Sequence, residues 1–234
     1  MRFQNAAKDG RAIVYAGIQA DPLVARAAGL LADAGYPERL LARAAMNGET
    51  LDAEAWRTMF PALFGPDSVD ATRARAEAIL AVSLDVAGRG EQARSQFRGA
   101  IVEALTERLL GRRVPATAIH RERRILFDGV ATEIHPYDVT VEIPGAAEAY
   151  DCKWGARGIG PDVLHQLDDA RRHAADDGER LVAVLVIFDA SRSCQVRLAR
   201  QTAPRDGLRM VTLETLDRMA GKTGATGSPP QSRG

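Results

Sequence analysis

Apolar residues recur every three or four positions from about residue 20 to residue 88, a spacing typical of amphipathic helices. Asp21 followed by Pro22 is typical of a helix start, and Asp52 and Asp70 precede further alanine-rich segments. The clearest helix is predicted between residues 91 and 111. There an i, i+4 apolar stripe ends at a glycine, and its members are Phe97, Ile101, Leu105 and Leu109.

Alternating apolar and polar residues replace this pattern in the second half of the chain and predict β-strands. Residues 137–143 alternate strictly, and residues 148–154 alternate again after the turn PGAAE. Residues 118–129 predict a charged edge strand or hairpin arm. The run LVAVLVIF at 181–188 is too short to span a membrane and predicts a fully buried strand.

A further helix is predicted between these strands, over residues 160–178, with Pro161 near its start and Gly178 after its end. Residues 194–201 and 208–221 suggest another strand or two and a closing helix.

The turn-rich segment 86–92 is the expected domain boundary. Residues 1–88 are then an all-helical N-terminal domain for specificity, regulation or binding of a protein partner, including a second copy of the chain. Residues 89–220 form an α/β domain. The tail, 221–234, has little apolar content and is expected to be disordered.

Composition narrows the class of protein only slightly. The net charge is zero, so a nucleic acid would have to be bound by a local basic patch. Cys152 and Cys194 both lie in apolar alternating stretches, and no secretory leader follows the first methionine. We therefore expect two reduced, buried thiols in a cytoplasmic protein without a membrane span.

Lys153 is the candidate that stands out chemically, because only three of the 31 basic residues are lysines and the other two, Lys8 and Lys222, lie near the chain ends. Alternation places Asp151 and Lys153 on one face of a strand and Cys152 on the other. A hairpin-like connection brings Asp138, at the start of the preceding strand, beside Asp151. Two adjacent carboxylates repel each other unless a cation lies between them, which predicts a Mg²⁺ or Mn²⁺ site.

Such a site is suited to phosphodiester hydrolysis, in which a metal activates water and polarises the phosphate. Lysine provides a compact ammonium for the developing charge, whereas arginine is a wider, permanently charged fork. Glu103, on the helix predicted over residues 91–111, is the expected third acid, completing the site directly or through water.

These residues resemble the PD-(D/E)xK nucleases of the restriction-endonuclease-like superfamily, over roughly residues 91–220. The matching segments are GAIVE at 99–103, PYD at 136–138 and DCK at 151–153, followed by a helix that carries Gln166. DCKWG in particular is similar to the archaeal-resolvase-like and methylated-DNA-restriction branches.

The resemblance implies a mixed sheet flanked by helices in the order αβββαβ, with metal-dependent cleavage of nucleic acid. It also implies Asp138 and Asp151 as metal ligands, Lys153 as the catalytic lysine, and a role for Gln166 in positioning water or phosphate. Those branches often carry a tyrosine four residues after the glutamine, where this chain has Ala170.

The stretch 89–124 carries nine arginines against four glutamates, and its net positive charge leads towards the predicted site. It is interpreted either as a solvated helix surface or as a surface that follows phosphates. The candidate nucleic-acid contacts are Arg112, Arg113, Arg121, Arg123 and Arg124.

The resulting hypothesis is a metal-dependent endonuclease or exonuclease acting in restriction, antiviral defence or repair, with DNA favoured over RNA by the resemblance alone. One alternative is a catalytically inactive nucleic-acid-binding or scaffold protein with the same fold. Another is an RNA-cleaving defence effector.

Overall fold

The structure, a computed structural model, describes residues 1–7, 10–131, 135–203 and 207–221. Its α-helices are α1 (Gly10–Gln19), α2 (Pro22–Ala32), α3 (Tyr36–Asn47), α4 (Ala53–Met59), α5 (Pro61–Phe64), α6 (Asp70–Ala87), α7 (Glu91–Leu110), α8 (Pro161–Asp176) and α9 (Ser191–Ala199). Its strands are β1 (Arg2–Asn5), β2 (Ile119–Phe127), β3 (Val130–Ala131), β4 (Tyr137–Ile143), β5 (Ala146–Lys153), β6 (Leu181–Ile187) and β7 (Arg209–Val211). Short 3-10 helices cover Ala116–Ala118, Ala156–Gly158 and Leu216–Ala220.

The strands form one mixed sheet in the spatial order β1-β2-β4-β5-β6-β7, and β3 pairs only with the end of β2. The pairs from β1 to β5 are antiparallel, whereas β6 and β7 run parallel to β5. The β5–β6 connection contains α8, as a parallel pair requires a long crossover. The predicted α/β class, a mixed sheet flanked by helices, is confirmed.

Helices cover both faces of this sheet. On one face, Val139, Tyr150 and Cys152 join a core that extends through α7 into α2, α3 and α6. On the other face, Ala149 and Leu185 pack against Leu164 and its neighbours on α8. Strands β5 and β6 are therefore buried on both sides, which explains the uninterrupted apolar run of β6.

The predicted boundary near residue 88 falls between α6 and α7, but the residues before it are not all helical. β1 begins at Arg2 and forms the edge of the sheet, with Arg2 opposite Leu126 and Asn5 opposite Arg123. The strand has four residues, of which only Phe3 is apolar and partly buried, so it carries too little pattern to be predicted. The hydrophobic core also continues without a break from the N-terminal helices to the sheet.

Two further elements differ from the sequence expectation. β2 is an interior strand, because β1 covers the side that was expected to be free. Residues 191–199 form helix α9 instead of a strand. The alternation of Cys194, Val196 and Leu198 is misleading: Cys194 and Leu198 face the core one helical turn apart, and Val196 is half exposed.

Several other elements agree with the pattern, although helix α1 and the two-residue β3 were not predicted. α7, α8 and β6 lie within a residue or two of their predicted limits, and the Asp21 side chain caps α2 by accepting from the Leu23 amide (2.8 Å). Both cysteines are buried free thiols. None of the helices in the described ranges is long and apolar enough to cross a membrane. All of the predicted tail after Gly221 lies outside the described residues.

Arg39 joins the N-terminal helices to the last described helix and is almost completely buried. Its Nε donates to the Leu31 carbonyl (3.2 Å), and its guanidinium forms an ion pair with Asp217 (2.9 Å). A buried guanidinium is tolerated only when such partners satisfy it.

We expect Asp217→Ala to lower the free energy of unfolding by roughly 2 kcal/mol, because Arg39 would remain buried without its carboxylate. This value is below that of a fully buried pair because Asp217 is itself half exposed. Urea denaturation measures the loss. Asp67→Ala, which removes an exposed acid, is the matched control, and equal effects of the two variants would contradict this role of Arg39.

Candidate active site

The start of β4 and the end of β5 bring two predicted site residues together. Val139 pairs with Tyr150. Because the strands are antiparallel, the residue before Val139, Asp138, lies beside the residue after Tyr150, Asp151. The backbone amide of Cys152 donates to Asp138 Oδ2 (2.6 Å). The carboxylate of Asp138 is therefore held by a backbone group, which fixes its position relative to β5.

Asp151 and Lys153 form an ion pair through Asp151 Oδ1 and the lysine Nζ. The Asp151 side chain is only 8% exposed, and the Lys153 side chain is 29% exposed. Cys152, between them, points to the opposite face, where its thiol contacts Thr106 of α7. The alternation predicted for this strand is thus confirmed.

Glu103 is buried on α7, and both of its carboxylate oxygens accept hydrogen bonds from α1. The Tyr15 hydroxyl donates to Oε1 (2.5 Å) and Gln19 Nε2 donates to Oε2 (2.7 Å). Gly99, one turn earlier on α7, allows this approach, since a Cβ there would lie 3.0 Å from the Tyr15 hydroxyl oxygen. Neither Tyr15 nor Gln19 was singled out from the sequence, because nothing local links α1 to α7.

The electrostatic environment of Asp138 is unfavourable to its charge. Burial raises the pKa of the Asp138 carboxyl well above its usual value, and the nearby charges of Asp151 and Glu103 raise it further. Lys153 and the Cys152 amide act in the opposite direction. For Lys153, burial opposes the charged form, but the attraction of Asp151 and Asp138 is stronger and raises the lysine pKa.

A fourth acid, Glu122, belongs to this cluster. Arg121 and Arg123 pair with Val139 and Tyr137, which places Glu122 opposite Asp138 across the β2–β4 ladder. Its backbone has φ of 52°, a left-handed conformation that is uncommon for a residue with a side chain. Burial and the charge of Glu103 raise the pKa of Glu122. The sequence offered no signal for it beyond its charge.

The described acids do not form a complete set of metal ligands. Within the described ranges, no group of three His, Cys, Asp or Glu side chains is arranged to hold a metal ion. The pair Asp138 and Asp151 comes nearest to the predicted ligand set. Glu103 is held by α1, and both of its carboxylate oxygens already accept a hydrogen bond.

Gln166, on α8, contacts the backbone of the segment that precedes Asp138. Its side-chain amide forms a reciprocal pair with the backbone of His135: the His135 N–H donates to Oε1 (3.3 Å) and Nε2 donates to the His135 carbonyl (3.1 Å). Because both amide groups are engaged, the side chain fixes the segment that leads into Asp138. The direct role in holding water or phosphate that the resemblance implied stays a prediction.

Gly158 makes room for the lysine. A Cβ built on Gly158 would lie 2.8 Å from Cβ and Cγ of Lys153 and 2.9 Å from its Cδ. The Cβ atom is fixed by the backbone, and Cγ and Cδ move only if the lysine changes its rotamer. The glycine in the short helix after β5 therefore sets the path of the lysine stem.

The arginines predicted to bind nucleic acid are engaged within the protein. Arg112 pairs with Asp33, Arg113 with Glu148, Arg121 with Glu107 and Arg123 with Glu142, and Arg124 also has an interaction partner. Most of the local positive charge is thus balanced by carboxylates. Their contact with nucleic acid stays a prediction.

Comparisons with known proteins add little to this description. No family model matches the chain, and no curated protein matches it. Among solved structures, the chain is similar to the crystal structure of protein VC1899 from Vibrio cholerae, with 18% sequence identity and a TM-score of 0.49. The match covers 94% of this chain but 57% of that one, so this chain spans little more than half the length of that protein.

We expect Tyr15→Phe to lower the free energy of unfolding by about 1.5–3 kcal/mol, because a buried carboxylate loses a charge-assisted hydrogen bond. Urea denaturation measures it, and Tyr36→Phe, at an exposed tyrosine, is the control. In a Glu103→Gln background the effect should shrink. Equal effects of Tyr15→Phe in the two backgrounds would show that the hydroxyl does not act on Glu103.

We expect Gly158→Ala to destabilise the protein by about 1–3 kcal/mol, since the new methyl group overlaps the lysine stem. Lys153→Ala should relieve only part of that loss in the double variant, because alanine removes Cγ and Cδ but keeps the Cβ atom that lies 2.8 Å away. Gly160→Ala is the control, because a Cβ there meets nothing within 4 Å. A Gly158→Ala protein as stable as the Gly160→Ala protein would rule out the close approach.

Proposed function

We propose that this protein is a divalent-metal-dependent nuclease that hydrolyses phosphodiester bonds in DNA, on a restriction-endonuclease-like core. The observation that carries the proposal is the meeting of Asp138 and Asp151 at adjacent strand ends with the ammonium group of Lys153. The chain order α7–β2–β4–β5–α8–β6, in which the two-residue β3 follows β2, agrees with the αβββαβ order of that superfamily.

The residues present suit a hard divalent cation. Carboxylate oxygens are the ligands that Mg²⁺ prefers, and Mg²⁺ is usually held by one or two protein carboxylates together with water and substrate phosphates. A pair of acids is therefore sufficient. The buried Asp151 Oδ1 contacts the ammonium group of Lys153, and because a carboxylate oxygen has two lone pairs it retains capacity for a ligand. A cation would also relieve the repulsion around Asp138.

Asp138 and Asp151 would hold the ion, and Glu103 would contribute through water. The ion, when bound, supplies Lewis-acid polarisation of the phosphate and lowers the pKa of water. The Cys152 amide keeps Asp138 oriented, and Gln166 fixes the segment before it. Lys153 would donate to the phosphate oxygen on which charge develops as water attacks phosphorus and the P–O bond breaks, the leaving oxygen taking a proton.

The inactive scaffold with the same fold is the second candidate, and one observation favours it. Both oxygens of Glu103 already accept hydrogen bonds from α1, which restricts this acid as a direct ligand. An RNA-cleaving activity would use the same residues. Incubation of the protein with plasmid DNA and with RNA, each with Mg²⁺, with Mn²⁺ and with EDTA, separates the three functions.

We expect Lys153→Arg to be nearly as damaging as Lys153→Ala, lowering the single-turnover cleavage rate by ~10²- to 10³-fold. The path beside Gly158 accommodates a lysine stem, and the guanidinium fork is wider than an ammonium group. Arg192→Lys, at an exposed position, is the control. Cleavage by the Lys153→Arg protein within about threefold of the parent would mean that Lys153 only balances the charge of Asp151.

We expect Asp138→Asn to abolish cleavage and yet to stabilise the metal-free protein by about 0.5–2 kcal/mol at pH 8, because it removes a disfavoured charge. The folded-state pKa of Asp138 is raised, so the parent loses stability as pH increases above the ordinary carboxyl range. The gain should therefore vanish near pH 4. Urea denaturation in EDTA at both pH values measures it, and a destabilised variant at pH 8 would contradict the crowding of these acids.

A further inference from the structure

A cleft of about 480 Å³ lies on the α7 face of the sheet, beside the first halves of β5 and β6. Tyr150, Val184 and Arg209 lie side by side across β5, β6 and β7 and line the cleft. Arg218 and Met219, from the 3-10 helix Leu216–Ala220, form a wall. Its volume is within the range of roughly 300–1,000 Å³ that is usual for small-molecule sites.

The charges around this cleft are not balanced. Arg113 donates to Glu148 (3.1 Å) and to the Tyr150 hydroxyl (2.8 Å), so the one carboxylate of the lining is already neutralised. Arg209 and Arg218 also line the cleft and are exposed. Among the described residues, neither guanidinium takes part in a hydrogen bond or a close ion pair, and Arg209 acts on Glu148 only through the longer-range attraction of their charges.

The floor between these arginines is apolar. Val182 and Val184 of β6 and Val211 of β7 present branched side chains from two neighbouring strands, and Met219 also lines the cleft. A flat valine surface beside a methionine suits a planar ring. Unpaired arginines at its margin suit a phosphate, which a guanidinium binds through two parallel hydrogen bonds.

We propose that this cleft is a binding site for a nucleoside monophosphate, with the phosphate held by Arg209 and Arg218 and the base on the valine floor. Glu148, which is held by Arg113 and by the Tyr150 hydroxyl, would accept from a polar group of the nucleoside. The cleft is distinct from the candidate active site: Tyr150 precedes Asp151 along β5, but its side chain lies on the opposite face. The segment 222–234 is a poor occupant, since it carries Lys222 and Arg233 and no acid.

The test is isothermal titration of the full chain with AMP in EDTA, with adenosine and inorganic phosphate as separate probes. We expect AMP to bind with one site, and adenosine and phosphate each to bind roughly tenfold more weakly or worse. The Arg209→Gln/Arg218→Gln protein should lose at least roughly tenfold in affinity for AMP, because two charge-assisted contacts disappear.

Two further proteins locate the site. The Arg192→Gln/Arg200→Gln protein, which removes two exposed arginines outside the cleft, should bind AMP within twofold of the parent, as should Lys153→Ala. Absence of AMP binding at millimolar concentration, equal binding of adenosine, or loss of binding in either control protein would overturn the proposal. Binding of a short oligonucleotide but not AMP would mean that the cleft follows a nucleic-acid strand. No metal or cleavage is involved, so the result is independent of the proposed nuclease activity.

Discussion

The negative charge of Asp138 is opposed by burial and by the carboxylates of Asp151 and Glu103, and it is only partly offset by Lys153 and the Cys152 amide. A protein interior does not normally place acids in this way, because each adds an unfavourable interaction for the others. The arrangement becomes favourable if a divalent cation joins it. The rest of the site is consistent with this constraint, since each surrounding contact restricts where these charged groups can lie.

The groups that restrict them come from distant parts of the chain. Tyr15 and Gln19 hold Glu103 from α1, and Gln166 on α8 holds the segment before Asp138. Gly158 limits the path of the Lys153 stem. The N-terminal helices therefore contribute directly to the candidate site in addition to their place in the shared core.

The central part of the fold could be predicted because its signals are local. Strict alternation identified β4 and β5 and placed Asp151 and Lys153 on one face, and an i, i+4 stripe identified α7. β1 and α9 were missed for opposite reasons: β1 is short and has almost no apolar pattern, whereas α9 has one that fits a strand as well as a helix. Residue type alone could not reveal that Arg113 or Arg123 is paired with an acid, since those contacts depend on strands and helices distant in sequence.

The place of Glu122 in the cluster and the contacts that α1 makes with Glu103 could not be predicted from the sequence either, because they too depend on parts of the chain that are distant in sequence. Their roles depend on the register of β2 against β4 and on the packing of α1 over α7, and neither follows from local spacing.

The most direct test of the central claim is the anomalous difference density of crystals soaked in Mn²⁺. The proposed site predicts a peak between Asp138 and Asp151, within about 2 Å of an oxygen of each carboxylate, and no peak there in crystals of the Asp151→Asn protein. Density for Mn²⁺ elsewhere only, or none at millimolar Mn²⁺ in an undamaged lattice, would contradict a metal-dependent site at these strands.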